Sequence, residues 1–202
     1  MPEDFRTRLA AALAAGRPRD APPGAGRAAA VLLPVVGGPE PSLIFTVRSD
    51  ALPSHKGQIS FPGGGIDAAD ATPEAAALRE AREELSLDPA DVAVLGRLDA
   101  LETFVSGYVV TPVVGWIDEP PALRPNPSEV VEAFAVPIAE LTDDIRADPG
   151  TSVDGRPYPT EAWIYNRYVI WGVTARILRT FLTLLAESGL APAPGGVAPP
   201  AS

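Results

Sequence analysis

At 202 residues, 46% hydrophobic and 21% charged, the chain has the length and composition of one globular domain able to bury a sizeable core. It has no cysteine, which excludes disulfides and thiolate metal sites, and its formal net charge of −10 argues against non-specific nucleic-acid binding, which needs a basic surface. No apolar run approaches a membrane span and the first residues do not read as a signal peptide, so a cytoplasmic protein with neither membrane nor nucleic-acid partners is expected.

In chain order, residues 3–16 predict an alanine-rich amphipathic helix and residues 17–26 a Pro/Gly-rich linker. Together residues 1–27 read as an N-terminal helix and linker ahead of a domain over 28–190. Residues 28–36 are an apolar run and predict a buried strand. Gly37, Gly38 and Pro39 suit a hairpin turn into a second strand over 42–48. Residues 58–61 predict a short strand entering a loop of Gly63, Gly64 and Gly65. A helix follows, with Thr72 as N-cap, Pro73 at the first helical position and Glu74 in the first turn, where the helix dipole favours an acid. Its apolar stripe is Leu78, Ala81 and Leu85. Strands are predicted over 92–101, 108–117 and 130–136, the last followed by a helical turn over 137–141. A single late strand over 162–170 leads to a helix over 172–187, and residues 191–202 form an Ala/Pro-rich tail. Strands with one helix in the middle and one at the end imply an α/β domain, a mixed sheet covered on both faces.

The chemistry concentrates in the middle helix, at Arg79-Glu80-Ala81-Arg82-Glu83-Glu84. Glu80, Glu83 and Glu84 stand at i, i+3 and i+4, so they share one face with side chains roughly 5–6 Å apart. Like charges that close repel one another, and a hard divalent cation with oxygen ligands is the natural filler. Arg79 lies one turn before Glu83 and can pair with it. The glycine loop has no side chains in the way, and the Gly64 carbonyl is placed to join a metal shell. A solvated run of surface charges is the bland alternative. The glycine loop, the N-cap and the apolar stripe all tell against it.

These residues resemble the Nudix box, G-x5-E-x7-R-E-U-x-E-E-x-G-U with U aliphatic. The match is strong from Arg79 to Glu84. Counting back from Arg79 puts the first box acid on Ala71; counting forward from Gly64 puts it on Asp70. Ser86 stands at the second glycine and Ala81 at the aliphatic position. The resemblance implies a Nudix-type α/β/α sandwich with a mixed β-sheet, and a pyrophosphohydrolase using Mg²⁺ or Mn²⁺. Glu83 and Glu84 would be direct ligands, Glu80 a ligand or the acceptor of the attacking water's proton, and Arg79 an orienter. Glu102, Glu129 and Glu161 are the candidates for a base from a later loop.

The segment before the box, Ile44-Phe45-Thr46-Val47-Arg48-Ser49, then His55-Lys56-Gly57-Gln58, then Phe61-Pro62-Gly63-Gly64, resembles the signature of the coenzyme A pyrophosphatase branch, with Pro53 where that branch has Arg. Ser106-Gly107-Tyr108, Asn126-Pro127, Glu129-Val130 and Ile170-Trp171-Gly172 look like the same branch, so the resemblance covers roughly residues 28–185. It implies a small-molecule substrate, coenzyme A or a derivative, cut at the diphosphate bridge. Arg48, His55, Lys56 and Gly57 would then form the substrate-binding segment. An enzyme for another nucleoside diphosphate derivative, such as ADP-ribose or a dinucleotide, would carry the same box. A homo-oligomer is left open. A non-hydrolytic sensor would be expected to have lost box carboxylates, and all three stand here.

Overall fold

The computed structural model describes residues 2–20, 26–49, 57–103, 107–148, 150, 152–153, 156–157 and 160–190. The chain begins with α1 (Pro2–Gly16), β1 (Arg27–Val36), β2 (Ser42–Arg48), β3 (Ile59–Ser60), β4 (Gly63–Gly65) and α2 (Pro73–Leu85). It continues with β5 (Ala93–Arg97), β6 (Leu101–Glu102), β7 (Tyr108–Ile117), β8 (Val130–Pro137) and β9 (Arg146–Ala147). It closes with β10 (Ser152–Val153), β11 (Arg156–Pro157), β12 (Ala162–Tyr165), β13 (Tyr168–Trp171) and α3 (Gly172–Glu187).

The main sheet is mixed, in the order β3-β2-β1-β7-β5, with β4 on β1, β6 on β7 and β8 on β2. β1 and β7 run parallel from Arg27↔Tyr108 to Val36↔Ile117. On its other side β1 is shared. Its C-terminal end pairs with β2 at Val35↔Leu43 and Val36↔Ser42, and its first half pairs with the glycine strand β4 at Ala29↔Gly65, Ala30↔Gly64 and Val31↔Gly63. Parting from β2 in this way lets β1 carry three glycines into the sheet beside α2.

Period-two alternation sends neighbours to opposite faces. Ala30, Leu32, Val36, Ile44, Val113 and Ile117 pack with Ala76, Ala77, Ala81 and Leu85 of α2. Leu33, Val35, Leu43, Phe45, Val114 and Trp116 pack with Leu9 and Leu13 of α1 and with Ile177, Leu178, Phe181 and Leu185 of α3. Each fully buried leucine or phenylalanine there contributes about 1.5–3 kcal/mol. The result is the expected α/β/α sandwich. Among the described residues no helix is long and apolar enough to cross a membrane.

The segment read as helix and linker is anchored to this body. Phe5 lies 6.1 Å from the Trp116 ring, and the Arg8 guanidinium donates to the Ser188 and Gly189 carbonyls at 3.0 and 2.9 Å. Arg19 makes a forked pair with Asp99 at 3.0 and 2.7 Å, and Arg97 meets Asp20 at 3.0 Å.

Two predicted strands are broken. Residues 92–101 divide into β5 and β6, with a register shift against β7 between Val94 and Gly96. Residues 162–170 are not one strand but part of a hairpin, β12 antiparallel to β13, turning at Asn166 with φ 53°. Asparagine tolerates the left-handed region, so the turn signal lay inside an apolar run that reads as continuous. β9 pairs with β12 to complete a three-stranded sheet. The tail over 191–202 lies outside the described residues.

Candidate active site

α2 begins as expected. Thr72 Oγ1 accepts from the Ala75 N–H at 3.2 Å, and Pro73 opens the helix. It ends at Ser86, which takes φ 57° and donates its N–H to the Arg82 carbonyl. That left-handed cap favours glycine, which is the residue the box pattern has there. The buried face differs from the predicted stripe. Ala76, Ala77, Ala81, Glu84 and Leu85 are buried, while Leu78 is only partly covered. The alanines allow a close approach to β1 and β7, and this rolls Glu84 inward next to the glycine strand.

Glu84 is 2% exposed. Its Oε2 accepts from the Gly63 N–H at 3.2 Å, and its Oε1 stands 3.9 Å from Arg48 Nη1. Burial pushes its carboxyl up to about 8, against the opposing pull of Arg48 and the Gly63 N–H and with the support of Glu80 and Glu129. Glu80 is raised by burial as well, partly offset by Arg79. A Cβ on Gly64 would lie 2.6 Å from the carboxylate carbon and oxygens of Glu80, so a larger residue there would displace that carboxylate.

Arg79 is the frame of the helix face. Its Nε and Nη2 fork onto Asp70 at 3.1 and 2.9 Å, and Nη2 also donates to the Gly65 carbonyl at 3.0 Å. Its Nη1 donates to Glu80 at 2.8 Å and reaches Glu83 at 3.4 Å. The fork lowers the Asp70 carboxyl below its ordinary value. Of the two positions offered for the first box acid, Asp70 is the one that meets Arg79.

The structure brings Glu80 and Glu84 together with Glu129, one carboxylate oxygen from each lying within 4.8 Å of the others. Glu83 is outside that group, on the rim, with its side chain 53% exposed. Glu129 comes from the loop before β8. That loop is hung on the end of α2, where the Arg124 and Asn126 N–H groups donate to the Leu85 and Glu84 carbonyls, both at 2.8 Å. On the far side the Ser49 N–H donates to the Glu129 carbonyl at 2.8 Å.

Arg48 stands at the end of β2, where the pairing with β8 shifts register after Val47. Its N–H donates to the Gln58 carbonyl at 3.0 Å and its carbonyl accepts from Gly57 at 3.1 Å. Gly57 has φ 64°, so it turns the chain into β3. The Arg48 Nε is buried and has no hydrogen-bond partner among the described residues. His55 and Lys56 lie outside the described residues. Of the later acids, Glu102 is exposed on β6, and Glu161 is paired with Arg179 at 2.8 Å and Arg146 at 3.2 Å. Neither joins the carboxylate group. The one sequence signal that sets Glu129 apart from these two is the family resemblance at Asn126-Pro127 and Glu129-Val130.

Three carboxylates around one gap, one of them buried, with a glycine backbone alongside, form an all-oxygen donor set that fits a hard divalent cation. The sandwich with this helix and glycine strand defines the class, a Nudix domain. The NUDIX domain model matches residues 26–159. An uncharacterised Nudix hydrolase, NudL, of Escherichia coli strain K12 is 43% identical over 155 residues, covering 76% of this chain and 80% of the relative. The NudL protein of Shigella boydii serotype 18 matches at the same identity and coverage. A solved MutT/nudix family protein from Enterococcus faecalis shares the fold at a TM-score of 0.56 and 11% identity, covering 80% of this chain and 62% of that one. The chain belongs to the Nudix hydrolases, pyrophosphohydrolases that generally use divalent metal ions.

Proposed function

We propose that this chain hydrolyses the diphosphate bridge of coenzyme A or its derivatives, giving 4′-phosphopantetheine and adenosine 3′,5′-bisphosphate. The observation that carries the reading is the segment from Ile44 to Gly64, whose pattern resembles the coenzyme A branch and whose Arg48 stands 3.9 Å from Glu84. Coenzyme A presents a diphosphate and a separate 3′-phosphate, so it needs cationic groups beside the cation site as well as the site itself. A guanidinium whose Nε has no partner among the described residues suits a phosphate oxygen. Lys56 and His55 follow in the same segment, and Gly57 turns it back toward β3.

Glu84 and Glu129 would hold Mg²⁺ or Mn²⁺, with Glu80 as a third ligand or as the base, Glu83 at the rim and the Gly64 backbone alongside. When bound, the cation neutralises the diphosphate and lowers the pKa of water. Arg79 keeps Glu80 aimed by tying it to Asp70 and the Gly65 carbonyl. In the second of its roles, as the base, Glu80 would accept the proton of the attacking water. Water adds to one phosphorus, the bridging P–O bond breaks, and the departing phosphate keeps the bridging oxygen.

A panel of coenzyme A, dephospho-coenzyme A, ADP-ribose and a diadenosine polyphosphate, with product masses, tests the assignment. The expected result is a kcat/KM for coenzyme A about tenfold or more above dephospho-coenzyme A, the scale of one charged contact to the 3′-phosphate. Equal or better turnover of ADP-ribose or the dinucleotide would move the enzyme to the other substrate class.

A further inference from the structure

We propose that Asn126 is the positioning residue that aims Glu129 at the carboxylate group. The inference rests on reading that group as a divalent-cation site. Glu129 is the one member of the group that does not ride on α2, so something must hold it in register with Glu80 and Glu84. Asn126 touches both Glu84 and Glu129. Its N–H donates to the Glu84 carbonyl at 2.8 Å, and its own carbonyl accepts from the N–H groups of Glu129 at 2.9 Å and Val130 at 2.8 Å. The backbone of one residue therefore joins the end of the metal helix to the root of the Glu129 side chain.

The side chain extends the link. Asn126 Oδ1 accepts from the Ser128 N–H at 3.2 Å and the Ser128 Oγ at 2.7 Å. A backbone N–H can only donate, so the amide oxygen must face Ser128. The NH₂ end is thereby turned toward Glu129, with Nδ2 3.4 Å from Oε1. A turn would need only the oxygen. The amide nitrogen supplies a second, separable contact, the kind of outer partner that orients a metal-binding carboxylate. Loss of such partners lowers metal affinity about 10–100-fold.

Mn²⁺ titration, read from the electron paramagnetic resonance signal of the free ion, separates this role from a structural one. Asn126→Ser and Asn126→Thr keep an oxygen acceptor for residue 128 and remove the amide. Both are expected to weaken Mn²⁺ binding about tenfold while the metal-free protein melts within a few degrees of wild type. Ser128→Ala disturbs the turn alone and should bind Mn²⁺ as wild type does. In a Glu129→Gln background the Asn126 substitutions should add nothing, because the group they position is already gone. Unchanged Mn²⁺ affinity in both Asn126 variants would overturn the proposal. So would an equal loss in Ser128→Ala, or a loss that persists with Glu129→Gln. Wild-type protein that retains no Mn²⁺ would overturn the cation site itself, a different failure from any of these.

Discussion

Glu84 and Glu161 are both buried carboxylates, 2% and 6% exposed, and they sit in opposite electrostatic company. Glu161 is clamped between Arg179 at 2.8 Å and Arg146 at 3.2 Å. Glu84 has Arg48 at 3.9 Å and shares its pocket with Glu80 and Glu129. Burial alone therefore marks neither residue as functional. A carboxylate with two guanidinium partners is already neutralised and acts as a rivet. A carboxylate packed with two others lacks positive charge, and that deficit is what a divalent cation fills.

Substitution of each glutamate by glutamine should make the contrast sharpest. Glu84→Gln should lower kcat by more than about 100-fold, beyond the loss expected for an outer partner of a metal site, with the fold intact. Glu161→Gln should do the reverse. Turnover per folded molecule should stay within about twofold, and stability should fall by about 1–3 kcal/mol, since Arg146 and Arg179 can turn to solvent. Initial rates with Mg²⁺, set beside melting temperatures of the metal-free proteins, decide the matter. Equal activity losses in the two variants would erase the distinction.

A smaller effect is expected at Arg79, which stands between the two situations because it neutralises acids and also holds Glu80 of the proposed site. Arg79→Lys keeps the charge and loses the fork onto Asp70. The expected result is a 10–100-fold loss of Mn²⁺ affinity with most of the stability retained. A lysine variant with wild-type affinity would reduce Arg79 to a surface charge.

Much of this is legible in the sequence wherever the interactions that shape it are local. α2 was legible because Thr72, Pro73 and Glu74 act within one turn, and β2 because its β-branched and aromatic residues are contiguous. The pairing of Arg79 with Glu83 was legible for the same local reason. Residue chemistry alone does not separate Glu129 from Glu102 and Glu161, and only the resemblance at Glu129-Val130 does, because its place depends on a loop folding back onto the Glu84 and Leu85 carbonyls, a contact that no local pattern encodes. The inward roll of Glu84 was hidden too. Leucines at 78 and 85 suggested one stripe, but the alanines at 76, 77 and 81 set the line of closest packing.

The smallest effect is also the most direct test of the charge deficit. Burial raises the Glu84 carboxyl from an ordinary 4.5 to about 8. Between those values the native state holds a proton that the unfolded chain has released, so the stability this proton confers is fully present below about 4.5 and is lost as pH rises through about 8. Metal-free protein should therefore melt a few degrees lower at pH 8.5 than at pH 6, given that 1 kcal/mol moves Tm by about 2–4 °C in a chain of this size. A divalent cation held by Glu84 would take the place of that proton, so the rise in Tm on adding Mg²⁺ should grow over the same interval. Glu84→Gln should flatten the metal-free slope, because it removes the carboxyl that burial raises. If thermal melts in EDTA gave the same slope for wild type and Glu84→Gln, the charge deficit would lie elsewhere than at Glu84.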